Sequence, residues 1–109
     1  MENRREITIL DGQIKLVTEL TEFGMSLWVN GFGLNNAITG EEIIPLITFF
    51  NLEKYEEAEN TLKIKFRIYP DGFKNYEVEI NPLSKSFTYE NKAYHTDDFY
   101  KTFTGKEYR

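Results

Sequence analysis

A chain of 109 residues with 18 Asp and Glu, 13 Lys and Arg, one His and no Cys has a formal net charge of −5. This length supports one domain, residues 1–109, and is enough to bury a core without a disulfide or a structural metal. The lack of cysteine excludes thiolate metal sites, thiol nucleophiles and redox motifs, and a 16% aromatic content (nine Phe, seven Tyr, one Trp) excludes disorder and suits pleated strands.

Residues Met1 to Glu6 lead into alternating rather than continuous apolar residues, so neither a signal peptide nor a membrane span is predicted and a cytoplasmic location is expected. Because strand side chains alternate faces, apolar sets must coincide across each hairpin, and loop length fixes whether they do. Ile7 and Ile9 occupy odd positions and Ile14, Leu16 and Leu20 even ones, which a two-residue Asp11-Gly12 type I′ turn brings together. A second two-residue loop, Thr21-Glu22, would set Leu20 opposite Phe23 and Leu16 opposite Leu27, with Phe23, Met25, Leu27 and Val29 on the same face. Trp28 then lies on the other face with Ser26 and Asn30, either under a second core layer or as an aromatic anchor at an interface or ligand mouth.

Gly31, Gly33, Asn35, Asn36 and Gly40 read as a loop, and Ile43 to Phe50, apolar on both faces, as a buried strand that tolerates Pro45 near its start or at a bulge. Asn51 to Asn60 fits either a solvated helical turn or the splayed end of a long hairpin. The clearest hairpin pairs Leu62, Ile64, Phe66 and Ile68 with Tyr76, Val78 and Ile80 through a Pro70-Asp71-Gly72 type I turn, placing Lys65 opposite Glu77 and Lys63 opposite Glu79. A four-residue loop from Pro82 to Lys85 sets Ile80 opposite Phe87 and Val78 opposite Tyr89. Thr96 is placed to cap a short helix with Asp97 and Asp98 in its first turn, Phe99 and Phe103 four apart, and Gly105 at its end. The sum is an all-β, mainly antiparallel domain, a sandwich or partly closed barrel of about seven strands with a short C-terminal helix.

Catalytic constellations are missing from this pattern. His95 is the only histidine, no serine sits in a nucleophile elbow, and Asp97 and Asp98 are too near in sequence to be taken as its orienting partners, so His95 reads as a strand-end side chain. Gly31-Phe32-Gly33 has Asn36 where a nucleotide loop needs its third glycine. Asp11 and Asp71 belong to turns rather than calcium loops. The chain is therefore expected not to be an enzyme and to hold neither metal nor cofactor. The Lys63, Lys65, Arg67 row faces Glu77 and Glu79, which disfavours nucleic acid.

The net charge has one address. Between Glu41 and Asn60 six acids (Glu41, Glu42, Glu53, Glu56, Glu57, Glu59) oppose only Lys54, while the other 89 residues hold twelve acids and twelve bases. Such a segment is either a solvated face or an electrostatic docking surface, and the aromatic neighbours Phe49, Phe50 and Tyr55 favour docking. In size, acidity and compact β build the chain resembles the small immunity proteins of bacterial contact-dependent inhibition and related polymorphic toxin systems. The resemblance implies a protein that covers a basic cognate toxin domain, commonly a nuclease. Glu53, Glu56, Glu57 and Glu59 would meet toxin lysines and arginines in the place of substrate phosphates, with Tyr55 as central anchor. The alternative is a small barrel around an apolar ligand, with Trp28, Phe32 and the C-terminal aromatics at its mouth.

Overall fold

In the computed structural model residues 4–23, 27–70 and 74–108 are described. Among them two open antiparallel sheets share one core. The first takes strands β1 (Arg4–Ile9), β2 (Ile14–Phe23), β3 (Leu27–Asn36) and β4 (Glu42–Ile47) in chain order. The second takes β5 (Phe50–Glu57), β6 (Leu62–Ile68), β7 (Tyr76–Asn81), β8 (Ser86–Tyr89) and β9 (Lys92–His95), also in chain order. A single 3-10 turn (Thr96–Asp98) leads into the helix α1 (Phe99–Thr104). The sheets do not close into a barrel.

Three hairpins keep the expected register. Ile9 pairs with Ile14 and Ile7 with Leu16, and the intervening turn has Asp11 at φ 56° and Gly12 at φ 82°, the positive pair a type I′ turn requires. Lys63 lies opposite Glu79, Lys65 opposite Glu77, and Ile80 opposite Phe87. Asp71 and Gly72 of the β6–β7 turn lie outside the described residues.

The expectation for the β2–β3 hairpin is corrected. There is no turn at Thr21-Glu22: β2 runs on to Phe23, so Leu16 pairs with Leu34 and Leu20 with Asn30. Even positions now face even ones, which puts Val29 on the face opposite Leu16. Met25 and Ser26 lie outside the described residues. Gly31 and Gly33 belong to a strand, not a loop. A Cβ on Gly33 would sit 2.7 Å from the backbone of Ile44 and Leu46, and one on Gly31 2.7 Å from Ile47 and Thr48. Glycine stands where the β4 backbone crosses too close for any side chain, and the β3–β4 register shifts on both sides of Leu34. The single buried strand expected over Ile43 to Phe50 is broken at Thr48-Phe49, and Asn51 to Glu57 continues β5, opposite β6. Among the described residues nine strands stand where about seven are expected, the last, β9, following a tight Glu90-Asn91 turn with both φ positive.

Aromatic rings fill the space between the sheets and α1. Phe66 stacks on Phe50 with centroids 5.1 Å apart and meets Phe103 edge-on at 5.1 Å, and Phe99 meets Phe87 edge-on at the same distance. Phe32, on β3, reaches Phe66 at 5.5 Å and joins the two sheets. It is fully buried, so it lines no mouth. The helix ends at Gly105 in the left-handed conformation, as expected. Its approach is capped differently: His95 Nδ1 accepts the Asp97 N–H at 3.1 Å, whereas the Thr96 hydroxyl is buried without a partner. Thr96 instead donates its backbone N–H to Lys85 O, which turns its side chain into the core.

Candidate functional site

In a meander alternate turns fall at the same end, and here both sheets bring theirs to a common one. Leu10, in the β1–β2 turn, donates its N–H to Glu57 Oε1 at 2.9 Å, tying that turn to the end of β5. Ala37 donates to Gln13 O at 2.8 Å, tying the β1–β2 turn to the β3–β4 turn. Glu41 then pairs with Lys85 of the β7–β8 turn, and Lys85 O accepts from Thr96 at the base of the 3-10 turn. These linked turns hold Asp11, Glu41, Glu42, Glu57, Glu59, Asp97 and Asp98, against Lys85 and His95. The acidity concentrated in one sequence segment thus gains three aspartates from elsewhere.

Within this end the β3–β4 turn is unusually well determined. Asn36 Oδ1 accepts from Ile38 N at 2.8 Å and Thr39 N at 2.9 Å. Gly40 donates to Asn36 O, Asn36 to Glu41 O, and Glu41 to Thr39 Oγ1. With Ala37 bound to Gln13, every N–H from residue 36 to 41 has an acceptor. At its tip Ile38 is 78% exposed, and Leu83 of the adjoining β7–β8 turn is 47% exposed. Sequence reasoning missed both. A signal was there, since an isoleucine in a turn flanked by Asn36 and Gly40 has no core face to enter.

The sequence-singled residues separate into three places. Glu41, Glu42, Glu57 and Glu59 belong to the turn end. Glu53 sits where the β5–β6 register shifts, held by Arg67 at 2.8 Å and by the Asn51 amide at 3.0 Å. Glu56 lies opposite Lys63 on the outer face of the second sheet, where Lys54, Lys65, Glu77 and Glu79 line an open, mixed-charge concavity of about 490 Å³. Tyr55 pairs with Ile64 and packs against the core, so its ring is turned from the acidic side chains. Trp28, 49% exposed, stands at the opposite end, beyond the core.

No metal-holding group of three His, Asp or Glu side chains occurs among the described residues, and no helix among them is long and apolar enough to cross a membrane. The resolved titration shifts belong to two lysines, Lys74 and Lys101. A hydrogen bond to the Tyr89 hydroxyl raises Lys74, whose ammonium also lies 5.0 Å over the Tyr76 ring. The Glu107 carboxylate, 3.0 Å away, raises Lys101. No protein-family model, curated protein or solved structure matches the chain. The turn end thus gathers seven carboxylates with the exposed side chains of Ile38 and Leu83, and it brings the Asp97 carboxylate within 3.4 Å of His95 Nδ1.

Proposed function

We propose that this chain is a cytoplasmic, non-enzymatic binding protein of the immunity type, which neutralises a basic toxin domain by docking its acidic turn end over that domain's cationic surface. The observation that supports this is the hydrogen-bonded turn 36–41, which holds Ile38 outward at the end of the sheets that also carries seven acids. A rigid turn loses little conformational freedom on binding, and an apolar side chain within a charged rim is the common anatomy of an interface hot spot. The carboxylates of Glu42 and Glu59 steer a basic partner and set its orientation, while Ile38 supplies the desolvated contact. If the partner is a nuclease, these carboxylates occupy the lysines and arginines that otherwise hold substrate phosphates. Glu53 contributes less, because Arg67 already neutralises it.

The test is protection. A basic protein captured by this chain is expressed alone, with the wild-type chain, and with an Ile38→Asp, Glu42→Lys, Glu59→Lys variant whose circular dichroism matches wild type. Growth arrest relieved by wild type and not by the variant is expected. Equal protection by both, or a partner without toxicity, would overturn the proposal.

A further inference from the structure

The core face of the β2–β3 hairpin continues past the end of the core. Leu16, Thr18 and Phe32 on that face are buried, yet Leu20, Glu22 and Trp28 further out are exposed. Asn30 donates its N–H to Asn51 Oδ1 at 2.9 Å, away from β2. Even-numbered residues of β3 therefore point their backbone groups outward here, and Glu22 and Trp28 form a cross-strand pair with no ladder hydrogen bonds between them. The Cβ atoms of directly opposite residues lie roughly 4.5–5.5 Å apart, closest in such pairs. A carboxylate with no ion pair among the described residues thus stands beside an exposed indole.

Among the described residues the outward N–H and C=O of Trp28 also have no ladder partner, because β4 joins β3 only from Phe32 onward. They border a groove of about 170 Å³, walled by Leu27, Val29, Tyr69 and Pro70, with Asn51 and Arg67 at its side, the Arg67 charge being held by Glu53 at 2.8 Å. Pockets for whole small molecules begin at roughly 300 Å³, so this volume suits a short length of extended chain. The geometry points to a docking site for an arginine-bearing extended segment of a protein partner: its backbone pairs with the Trp28 edge, and its guanidinium lies on the indole while donating to Glu22. Arginine fits because its plane stacks on an aromatic face while its N–H edge meets a carboxylate. An acidic segment meets Glu22 and a net charge of −5, and a wholly apolar one leaves Glu22 buried without a counter-ion. The site lies at the opposite end of the sheets from the acidic turns and does not depend on them.

Trp28 is the only tryptophan, so its fluorescence reports this site alone. The probe is a blocked Thr-Val-Arg-Val-Thr peptide, compared with its citrulline counterpart, which keeps the shape and loses the charge. Saturable change in Trp28 emission near about 1 mM is expected for the arginine peptide, with roughly tenfold weaker binding for citrulline. Glu22→Gln should weaken the arginine peptide by a similar factor and leave citrulline unaffected, while Glu42→Gln with Glu59→Gln should change neither. Equal binding of both peptides, indifference to Glu22→Gln, or no saturable change would overturn the site. Trp28 emission that shifts with protein concentration alone, together with a dimer in sedimentation equilibrium, would assign it to a second copy and overturn the arginine segment.

Discussion

Gly33→Ala isolates the contact that lets β3 and β4 cross and so sets the turn bearing Ile38. The added methyl carbon would lie 2.7 Å from Ile44 O and Leu46 N and 2.9 Å from Leu46 Cα, all backbone atoms. Since non-bonded carbons settle at about 3.5–4.0 Å, β4 must retreat by roughly 1 Å. That movement loosens Ile43, Ile44 and Ile47, which are buried. Overpacking of this kind costs about 1–3 kcal/mol, offset by the ~0.5–1 kcal/mol that alanine gains over glycine inside a strand. With β4 fixed at several points the upper part of the range applies, and the net loss is about 2 kcal/mol. In urea this lowers the midpoint by about 1 M at an unchanged slope, and in a thermal scan it lowers Tm by roughly 8–16 °C. Gly12→Ala is the comparison: nothing lies within 4 Å of its Cβ, so only the strain of φ +82° is felt, about 1 kcal/mol. A Gly33→Ala protein no less stable than Gly12→Ala would refute the close-crossing explanation.

Thr96→Val should stabilise the fold by about 1 kcal/mol in urea melts, because it removes a buried hydroxyl that has no partner and keeps the side-chain shape. Asn36→Ala strips the acceptor from the Ile38 and Thr39 N–H groups; a loss of about 1 kcal/mol and faster hydrogen exchange at those two amides are expected by NMR. Lys101 is raised in the folded protein by Glu107, so its contribution is present below the ordinary lysine value of 10.5 and lost as pH rises through the higher folded value. Wild type should therefore exceed Glu107→Gln in stability at neutral pH, and the two should converge above that range in pH-dependent urea midpoints.

Hairpins were legible wherever a short loop and two alternating sets constrained each other, as with Lys63 opposite Glu79 across Ile64 and Val78. Residues 30–36 were not, because Gly31 and Gly33 have the local chemistry of a loop and their reason for being in a strand is the backbone crossing them. The break at Thr48-Phe49 was hidden by continuous apolarity: Ile47 and Phe50 are both buried, in different sheets. For the candidate site, counting charges located the acidic segment but could not separate its members. Alternation along β5 turns Tyr55 inward and Glu56 outward, while the end of the strand delivers Glu57 to the Leu10 amide. The aspartates that join the turn end arrive from chain positions distant from that segment, through turn-to-turn hydrogen bonds that no local pattern encodes.

The most direct test of an acidic turn end that docks a basic protein is a capture from the source organism's lysate, eluted over a salt gradient with three baits. These are wild type, an Ile38→Ser, Glu42→Gln, Glu59→Gln variant of the turn end, and a Glu56→Gln, Glu79→Gln variant of the second sheet's outer face. A basic protein held by wild type and by the outer-face variant, released as salt rises and absent from the turn-end variant, is the predicted result. Equal retention by all three baits, or loss confined to the outer-face variant, would contradict it.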